Sequence, residues 1–421
     1  MVGRDPHLRH LILCPLLLPA AFAENYVYVG DLTPDSVLLA WGAASGPGNT
    51  IGRDSKLLPG VRVTFDGKPV ATTSNNWVRV DGLSPDTRYA YQVFQNANLI
   101  GKGAVRTWPA KTDRVAFLVI GDYGNGSPQQ GELAPLLCKI VTDRQSGADP
   151  IRFILTTGDN IYGWGWKFLS FGTGNRDKHW EKRFFHPYRD ALAQAPFYPT
   201  PGNHDGNQTE HRSDLTVYLD NFFYPGPKFP DPASARWYRF AFGGGLAEFF
   251  SLDSTNNTLS GDAGRAYAEN GPQSVWLKKA LEDSRARWKI PYFHNPPVTA
   301  GPEHPPAARE LGHWMRWFEQ YKVALSFSGH EHNFQIAKQT PETGAVRYVV
   351  SGAGGMLRPG DVRTRMDSAG VEAWAPRRHF LLVEVNRDST TITPIGASPP
   401  QPVRGDGSPF PLPLVVPARV R

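Results

Sequence analysis

The chain has 421 residues, 40% hydrophobic and 20% charged, the proportions of a globular protein with room for two domains of ordinary size. Its formal net charge of +6 is a mild positive balance that can draw anionic substrates. No Lys/Arg run is dense enough for a nucleic-acid-binding module. At the N-terminus, Arg4, His7, Arg9 and His10 precede "LILCPLLLPAAF", which ends in the small-x-small pattern Ala21-Phe22-Ala23. Residues 1–23 therefore read as a secretory signal peptide, and the mature protein is expected to be secreted or periplasmic. The apolar run is too short and too Pro-interrupted to span a membrane, and Cys14 lacks the small residues that precede a lipidated cysteine, so no stable anchor is expected. After cleavage only Cys138 remains, which leaves no internal disulfide and suits a buried helix position in "LAPLLCKIV".

Residues 24–108 alternate in short runs, "YVYVGDL", "SVLLAW", "VRVTFDG", "WVRVDGL", "RYAYQVF" and "GKGAVRT", with Gly, Pro, Asn and Asp between them. Six or seven such strands predict an all-β sandwich. In "LSPDTRYAYQVF", a Leu, a turn, and Tyr89 and Tyr91 alternating with Val93 match a tyrosine corner. Here the chain resembles an immunoglobulin-like, fibronectin type III-like domain. "RTWPAKTDRV" reads as a linker, with Pro109 ending the strand.

From residue 113 to 396 the pattern is α/β. "RVAFLVIGDYG" and "IRFILTTGDN" are buried-strand runs. "ELAPLLCKIVTDRQ", "HWEKRFFHPYRDALAQ", "QSVWLKKALEDSRARW" and "AARELGHWMRWFEQYKV" have helical spacing, and "WYRFAFGGGLAEFFSLDST" predicts an antiparallel hairpin. "KIPYFHNPP", "ALSFSGHEHNF", "RYVVSGAGG" and "HFLLVEVNRDSTTITPIG" complete the β set. Residues 397–421 form a Pro-rich tail, read as extended or disordered, in which Arg404-Gly405-Asp406 is taken as a chance match. Asn207-Gln208-Thr209 and Asn256-Asn257-Thr258 are sequons for a host that glycosylates, and His179, His186 and His211 match no motif.

Five polar motifs sit where apolar strands end. They are Gly121-Asp122-Tyr123-Gly124, Gly158-Asp159-Asn160-Ile161-Tyr162, Gly202-Asn203-His204-Asp205, Phe293-His294-Asn295-Pro296 and Gly329-His330-Glu331-His332. In α/β sheets, ligands gather at the carboxyl ends of strands. Carboxylate, imidazole, amide and phenol donors without thiolate suit iron, zinc or manganese. One metal needs about four protein groups. Asp122, Asp159, Tyr162, Asn203, His294, His330 and His332 are enough for two if one carboxylate bridges.

These motifs, in this order, resemble the metallophosphoesterase superfamily, and within it the purple acid phosphatases. That family carries GDxG, GDxxY, GNH[DE], a single-histidine motif and GHxH. "WLKKALEDS", "FFSLDST" and "YVVSGAG" add to the likeness. The resemblance implies a four-layer α/β/β/α sandwich. It implies a ferric site of Asp122, Asp159, Tyr162 and His332. It also implies a divalent site (iron, zinc or manganese) of Asp159, Asn203, His294 and His330, bridged by Asp159. Tyr162 would then be a phenolate that selects ferric iron, because a trivalent cation holds tyrosine ionised far below its usual pKa of about 10.

The implied activity is secreted acid phosphatase chemistry on small phosphate monoesters, by attack of a metal-activated hydroxide. His204 would contact substrate and protonate the leaving group, with Asp205 orienting it. His304, in "GPEHPP", resembles a further histidine the family uses for substrate binding or proton donation. One departure stands out: Phe293 replaces the usual Gly before the single histidine, and "HNPP" follows, which bears on substrate choice. The alternative is a phosphodiesterase or nucleotide hydrolase on the same two-metal site. A reading as an inert binding protein leaves seven converging donors without a purpose.

Overall fold

Alternating apolar residues build the first part of the chain as two antiparallel sheets. One contains Asn25–Leu32, Val37–Ala43 and Trp77–Val80; the other contains Lys68–Thr73, Val61–Phe65, Arg88–Gln95 and Asn98–Arg106. The computed structural model describes residues 24–43, 51, 60–166, 169–171, 180–206, 215–224, 236–255, 267–341, 343–358 and 360–419. Residues 1–23, read as a signal peptide, both sequons, His179 and His211 lie outside the described residues. The tyrosine corner is Tyr89, whose hydroxyl accepts from the Ser84 N–H at 2.9 Å. Tyr91 does something else. It leaves the sheet and donates to the Ala193 carbonyl at 2.7 Å.

The segment read as a linker is not a loose one. Trp108 is buried among Phe153, Tyr198, Phe240 and Phe242, with ring centroids 5.2 to 6.1 Å apart. Asp31, buried in the sandwich, accepts from Tyr198 Oη and from Arg79, each at 2.7 Å. Arg152 returns the contact, donating to Asp86 at 2.7 Å and to the Thr107 carbonyl at 3.1 Å. One apolar cluster runs through both parts.

The remainder holds two larger sheets. The first has the order Phe197–Pro199, Ile151–Thr156, Arg114–Ile120, Phe380–Asn386, Ser389–Ile395 and Leu414–Pro417. The second has the order Tyr238–Phe242, Ala247–Ser251, Trp288–Phe293, Leu325–Ser328, Arg347–Ser351, Phe334–Ala337 and Val371–Ala375. They pack face to face through aromatic side chains. Phe117 meets Phe249 edge-on at 5.2 Å, and Phe153 meets Phe249 at 5.0 Å. Helices Pro128–Arg144 and His186–Leu192 cover the first sheet, and Pro272–Asp283 and Ala308–Gln320 cover the second. The architecture is the four-layer α/β/β/α sandwich. Among the described residues no helix is long and apolar enough to cross a membrane.

Two expectations change. "HWEKRFFHPYRDALAQ" is α-helical only from His186; Glu181–Phe185 forms a wider π turn. Pro187 has no N–H to offer the Arg183 carbonyl, and Gln130 Nε2 takes that carbonyl instead at 2.6 Å. The Pro-rich tail is extended, but it is also paired. Val403 bridges Trp374, and Leu414–Pro417 is the last strand of the first sheet. Buried Leu414 and Val416 flank exposed Val415, a period-2 signal that the surrounding prolines hide. Replacing Trp108 by Ala should cost about 3–5 kcal/mol, from lost burial and the cavity left behind. Urea unfolding should show this as a lower midpoint in one transition covering both parts.

Candidate metal centre

Arg114–Ile120, Ile151–Thr156 and Phe197–Pro199 run parallel in one sheet, and Trp288–Phe293 and Leu325–Ser328 run parallel in the other. Asp122, Asp159, Asn203, His294, His330 and His332 follow the ends of these strands. The backbone is bent to bring them together. Asp122, Asp159 and His330 take the left-handed conformation, with φ of 56°, 49° and 70°. Such residues cost roughly 1–3 kcal/mol each and persist only where surrounding structure holds them.

The glycines of the motifs form the floor. A Cβ at Gly158 would stand 2.5 Å from His294 Nδ1, one at Gly202 would stand 2.0 Å from the Asp159 nitrogen, and one at Gly329 would stand 2.5 Å from Asp122 Oδ2. No side chain fits beneath the ligands.

The donors fall into two groups. In the first, Tyr162 Oη lies 3.3 Å from Asp122 Oδ1 and 3.2 Å from His332 Nε2, which is itself 3.3 Å from Asp122 Oδ1. In the second, His294 Nε2 lies 2.7 Å from Asn203 Oδ1, 3.0 Å from His330 Nδ1 and 3.5 Å from Asp159 Oδ1. Ligand atoms of Asp122, Asp159 and His294 all fall within 4.8 Å of one another and join the two groups. All seven sequence-predicted ligands are therefore in one place.

The orientation of His294 in the second group suits a metal ligand. His294 Nδ1 faces the Thr157 carbonyl at 2.8 Å, and a carbonyl only accepts, so that nitrogen carries the proton. That leaves Nε2 as the nitrogen facing the site, beside an amide oxygen and a second imidazole. Metal-binding histidines are commonly fixed in this way by a carbonyl on the far nitrogen. The donor set fits a metal ion.

The electrostatics agree. Burial pushes the Asp122 carboxyl well above its ordinary value, the neighbouring His294 opposing and Asp159 adding. Burial acts on Asp159 too, but His294 and His204 outweigh it and hold that carboxyl low. Burial, then Asp159 and Asp122, push the Tyr162 phenol well up. Burial and adjacent imidazoles push His330 well down. Burial and the charge of Arg358 push His332 down to about 4.

The supporting residues differ from the sequence reading in one respect. Asp205 does not orient His204. Its buried carboxylate accepts from the Gly202 N–H at 2.7 Å, the Asn160 side-chain amide at 2.9 Å, and the Asn160 and Ile161 N–H groups at 3.2 Å. It clamps the loop that presents Asp159 and Tyr162. The side chain after His204 in sequence points inward, so adjacency misled. His204 donates its backbone N–H to Asp159 Oδ1 at 2.8 Å and lays its ring 4.6 Å from that of Tyr162, partly exposed.

His304 belongs to the site. It stacks on His330 at 3.8 Å, and its Nε2 accepts from Arg358 Nη2 at 3.0 Å. Burial and Arg358 push it down to about 4. Phe293 turns away from the site into the core, 5.7 Å from Trp314. Asn160, Thr157, Ser254, Glu331 and Arg358 were not singled out from sequence. Only Asn160 and Glu331 carried a signal, as the unassigned positions inside GDN and GHEH.

The calcineurin-like phosphoesterase profile matches residues 115–334, more than half of the chain. An uncharacterised protein of Mycobacterium tuberculosis is 24% identical over 74% of this chain and 61% of its own length. The chain thus spans less than two thirds of that relative. Purple acid phosphatase 4 of Arabidopsis thaliana is 26% identical over 58% of this chain and 70% of its own length. Among solved structures, PhoD shares the fold at a TM-score of 0.65, with 14% identity, covering 89% of this chain and 87% of PhoD. A purple acid phosphatase from yellow lupin seeds does so at 0.64, with 15% identity, covering 92% of this chain and 73% of its own.

Gly202→Ala should destroy metal uptake, measured by elemental analysis, because its Cβ meets backbone. Gly131→Ala, in the helix Pro128–Arg144 with nothing within 4 Å, should instead stabilise by about 0.4–1 kcal/mol.

His379 supports the floor, with Nε2 3.1 Å from Ser351 Oγ; the Ser351 carbonyl accepts from Thr157 Oγ1 at 3.2 Å. Burial pushes it from 6.5 down to about 4. The unfolded chain therefore binds a proton that the folded protein refuses between those values. Stability present above pH 6.5 should be lost as pH falls towards about 4, by an amount on the order of 3 kcal/mol from this group. Urea unfolding of the parent and of His379→Gln across that window should show the acid slope flattening in the variant.

Proposed function

The chain belongs to the calcineurin-like phosphoesterase family, and from that premise we propose that it is an acid phosphatase of the purple type, hydrolysing small phosphate monoesters. Asp122, Asp159, Tyr162 and His332 would hold a ferric ion. Asp159, Asn203, His294 and His330 would hold divalent iron, zinc or manganese. The observation that carries this reading is the Tyr162 phenol, buried within 3.3 Å of both Asp122 and His332. Burial and two carboxylates oppose its ionisation, so binding as a phenolate would call for a strongly charged cation. When bound, such ions supply Lewis acidity and a water acidic enough to act at low pH.

The protein groups do the rest. Asp205 and Thr157 fix the ligand geometry before substrate arrives. His204 faces the open side, and its ring nitrogens have no partner among the described residues, so it can contact the ester and pass a proton to the leaving oxygen. The Nε2 of His304 already accepts from Arg358, so that atom has no proton to give. Residues 1–23 support secretion or a periplasmic location.

The test is a visible spectrum and a rate comparison on protein prepared with iron and zinc. The parent should be coloured and prefer nitrophenyl phosphate to bis-nitrophenyl phosphate, with an acid optimum. Tyr162→Phe should lose the band, and chelation should remove both colour and turnover. A colourless, iron-free parent that prefers the diester would replace this reading with a phosphodiesterase.

A further inference from the structure

We propose that Arg358 recognises a second anionic group, carboxylate or phosphate, carried by the leaving group of the substrate. This deepens the phosphatase reading and rests on it for the word "leaving". Arg358 follows the strand Arg347–Ser351 and is tied to the site by its backbone N–H, which donates to the His332 carbonyl at 3.2 Å. Its guanidinium lies outside the ring of donors. His330 is a donor, His304 stacks on it at 3.8 Å, and Arg358 Nη2 bonds to the far side of His304 at 3.0 Å. A phosphoryl group seated on the donor atoms leaves this outer position to whatever else the substrate carries.

The arrangement is built and held. Glu331 is buried, and its Oε1 accepts from the backbone N–H groups of both Glu303 and His304. That clamp fixes the turn against which Arg358 rests. Arg358 Nη1 pairs with Glu303 Oε2 at 2.7 Å, and the Glu303 side chain is half exposed. The pair opens to solvent on the Glu303 side, so this carboxylate can yield to a better-placed anion. Arg358 Nε is buried and has no hydrogen-bond partner among the described residues. The Arg358 side chain keeps 21% of its surface exposed, and its planar fork suits the two oxygens of a carboxylate or phosphate once Glu303 gives way. In the free protein Glu303 stands in for that anion.

Calorimetry on the protein loaded with iron and zinc tests this without turnover. The ligands are methylphosphonate, phosphonoacetate and methylenediphosphonate, none of which is hydrolysed as an ester. At least one of the two-group ligands should bind about ten-fold or more tighter than methylphosphonate. Arg358→Gln should remove that advantage while leaving methylphosphonate within about two-fold. Glu303→Gln, on the exposed partner, should widen it, and it provides the reading if the arginine variant fails to fold. An advantage confined to phosphonoacetate identifies a carboxylate; one confined to methylenediphosphonate identifies a phosphate. The proposal is overturned if the advantage survives in Arg358→Gln, if all three ligands weaken together, or if Glu303→Gln leaves the advantage unchanged or reduces it. Because binding needs no catalysis, these outcomes stand apart from the monoester and diester rates that decide the phosphatase reading.

Discussion

Two carboxylates share one site at the centre of this protein. An amide, a phenol and three imidazoles converge on them, and most of these groups are buried. Removing such groups from water costs several kcal/mol per charge unless a partner answers them. Much of the surrounding structure exists to hold that arrangement against its own repulsion. Asp205 accepts from the backbone N–H groups of Asn160 and Ile161 and the Asn160 side-chain amide, in the loop that carries Asp159, and from the Gly202 N–H of its own turn. Asn160 ties the same loop to Thr200 and Tyr123. Ser254 Oγ accepts from the N–H groups of His294 and Asn295. The left-handed backbone at Asp122, Asp159 and His330 is the remaining strain, and the absence of side chains at Gly158, Gly202 and Gly329 keeps it from being worse.

The N-terminal sandwich takes part in this. Phe153 stands on the strand that delivers Asp159, and Trp108 packs edge-on against it. Tyr198 stands on the strand that delivers Asn203, and Asp31 of the sandwich accepts its hydroxyl proton. Two of the ligand-bearing strands are thus pinned from the side away from the metal donors. A spacer would not need a buried carboxylate at its boundary, because that carboxylate must be compensated by Arg79 as well as Tyr198.

The ligand positions were legible in the sequence because each requirement leaves a local mark. A buried strand needs a run of apolar residues, a crowded turn needs glycine, and a metal needs donors of a given type. The layers beneath were not legible, since they pair residues far apart in the chain. Thr157 meets His294, Ser351 meets His379, and Glu331 meets the turn at Glu303 and His304, with no spacing rule to announce any of them. Asp205 was misread for the opposite reason. Its neighbour in sequence, His204, suggested a pair, yet the tight turn sends the two side chains to opposite sides. At Trp108 and in the Pro-rich tail, proline signalled an interruption of regular structure, but docking continued through it.

The departure at Phe293 leaves the donor atoms where they are. The phenylalanine does not narrow the site; it fills space beneath the helix Ala308–Gln320, beside Trp314 and Phe318. His294 is left in place, so the change falls on the chain that follows it. That chain runs through the prolines after Asn295 to the turn at residues 301–304, where Glu331 catches it. The turn delivers His304 to His330, and through His304 it meets Arg358. Because Nε2 of His304 accepts from a guanidinium, the ring is committed to being a neutral bridge. His204, on the other histidine-bearing loop, lies instead against the Tyr162 ring. The two partly buried histidines that the sequence offered as possible proton donors are thus distinguished by a single arginine, which bonds to the His304 ring.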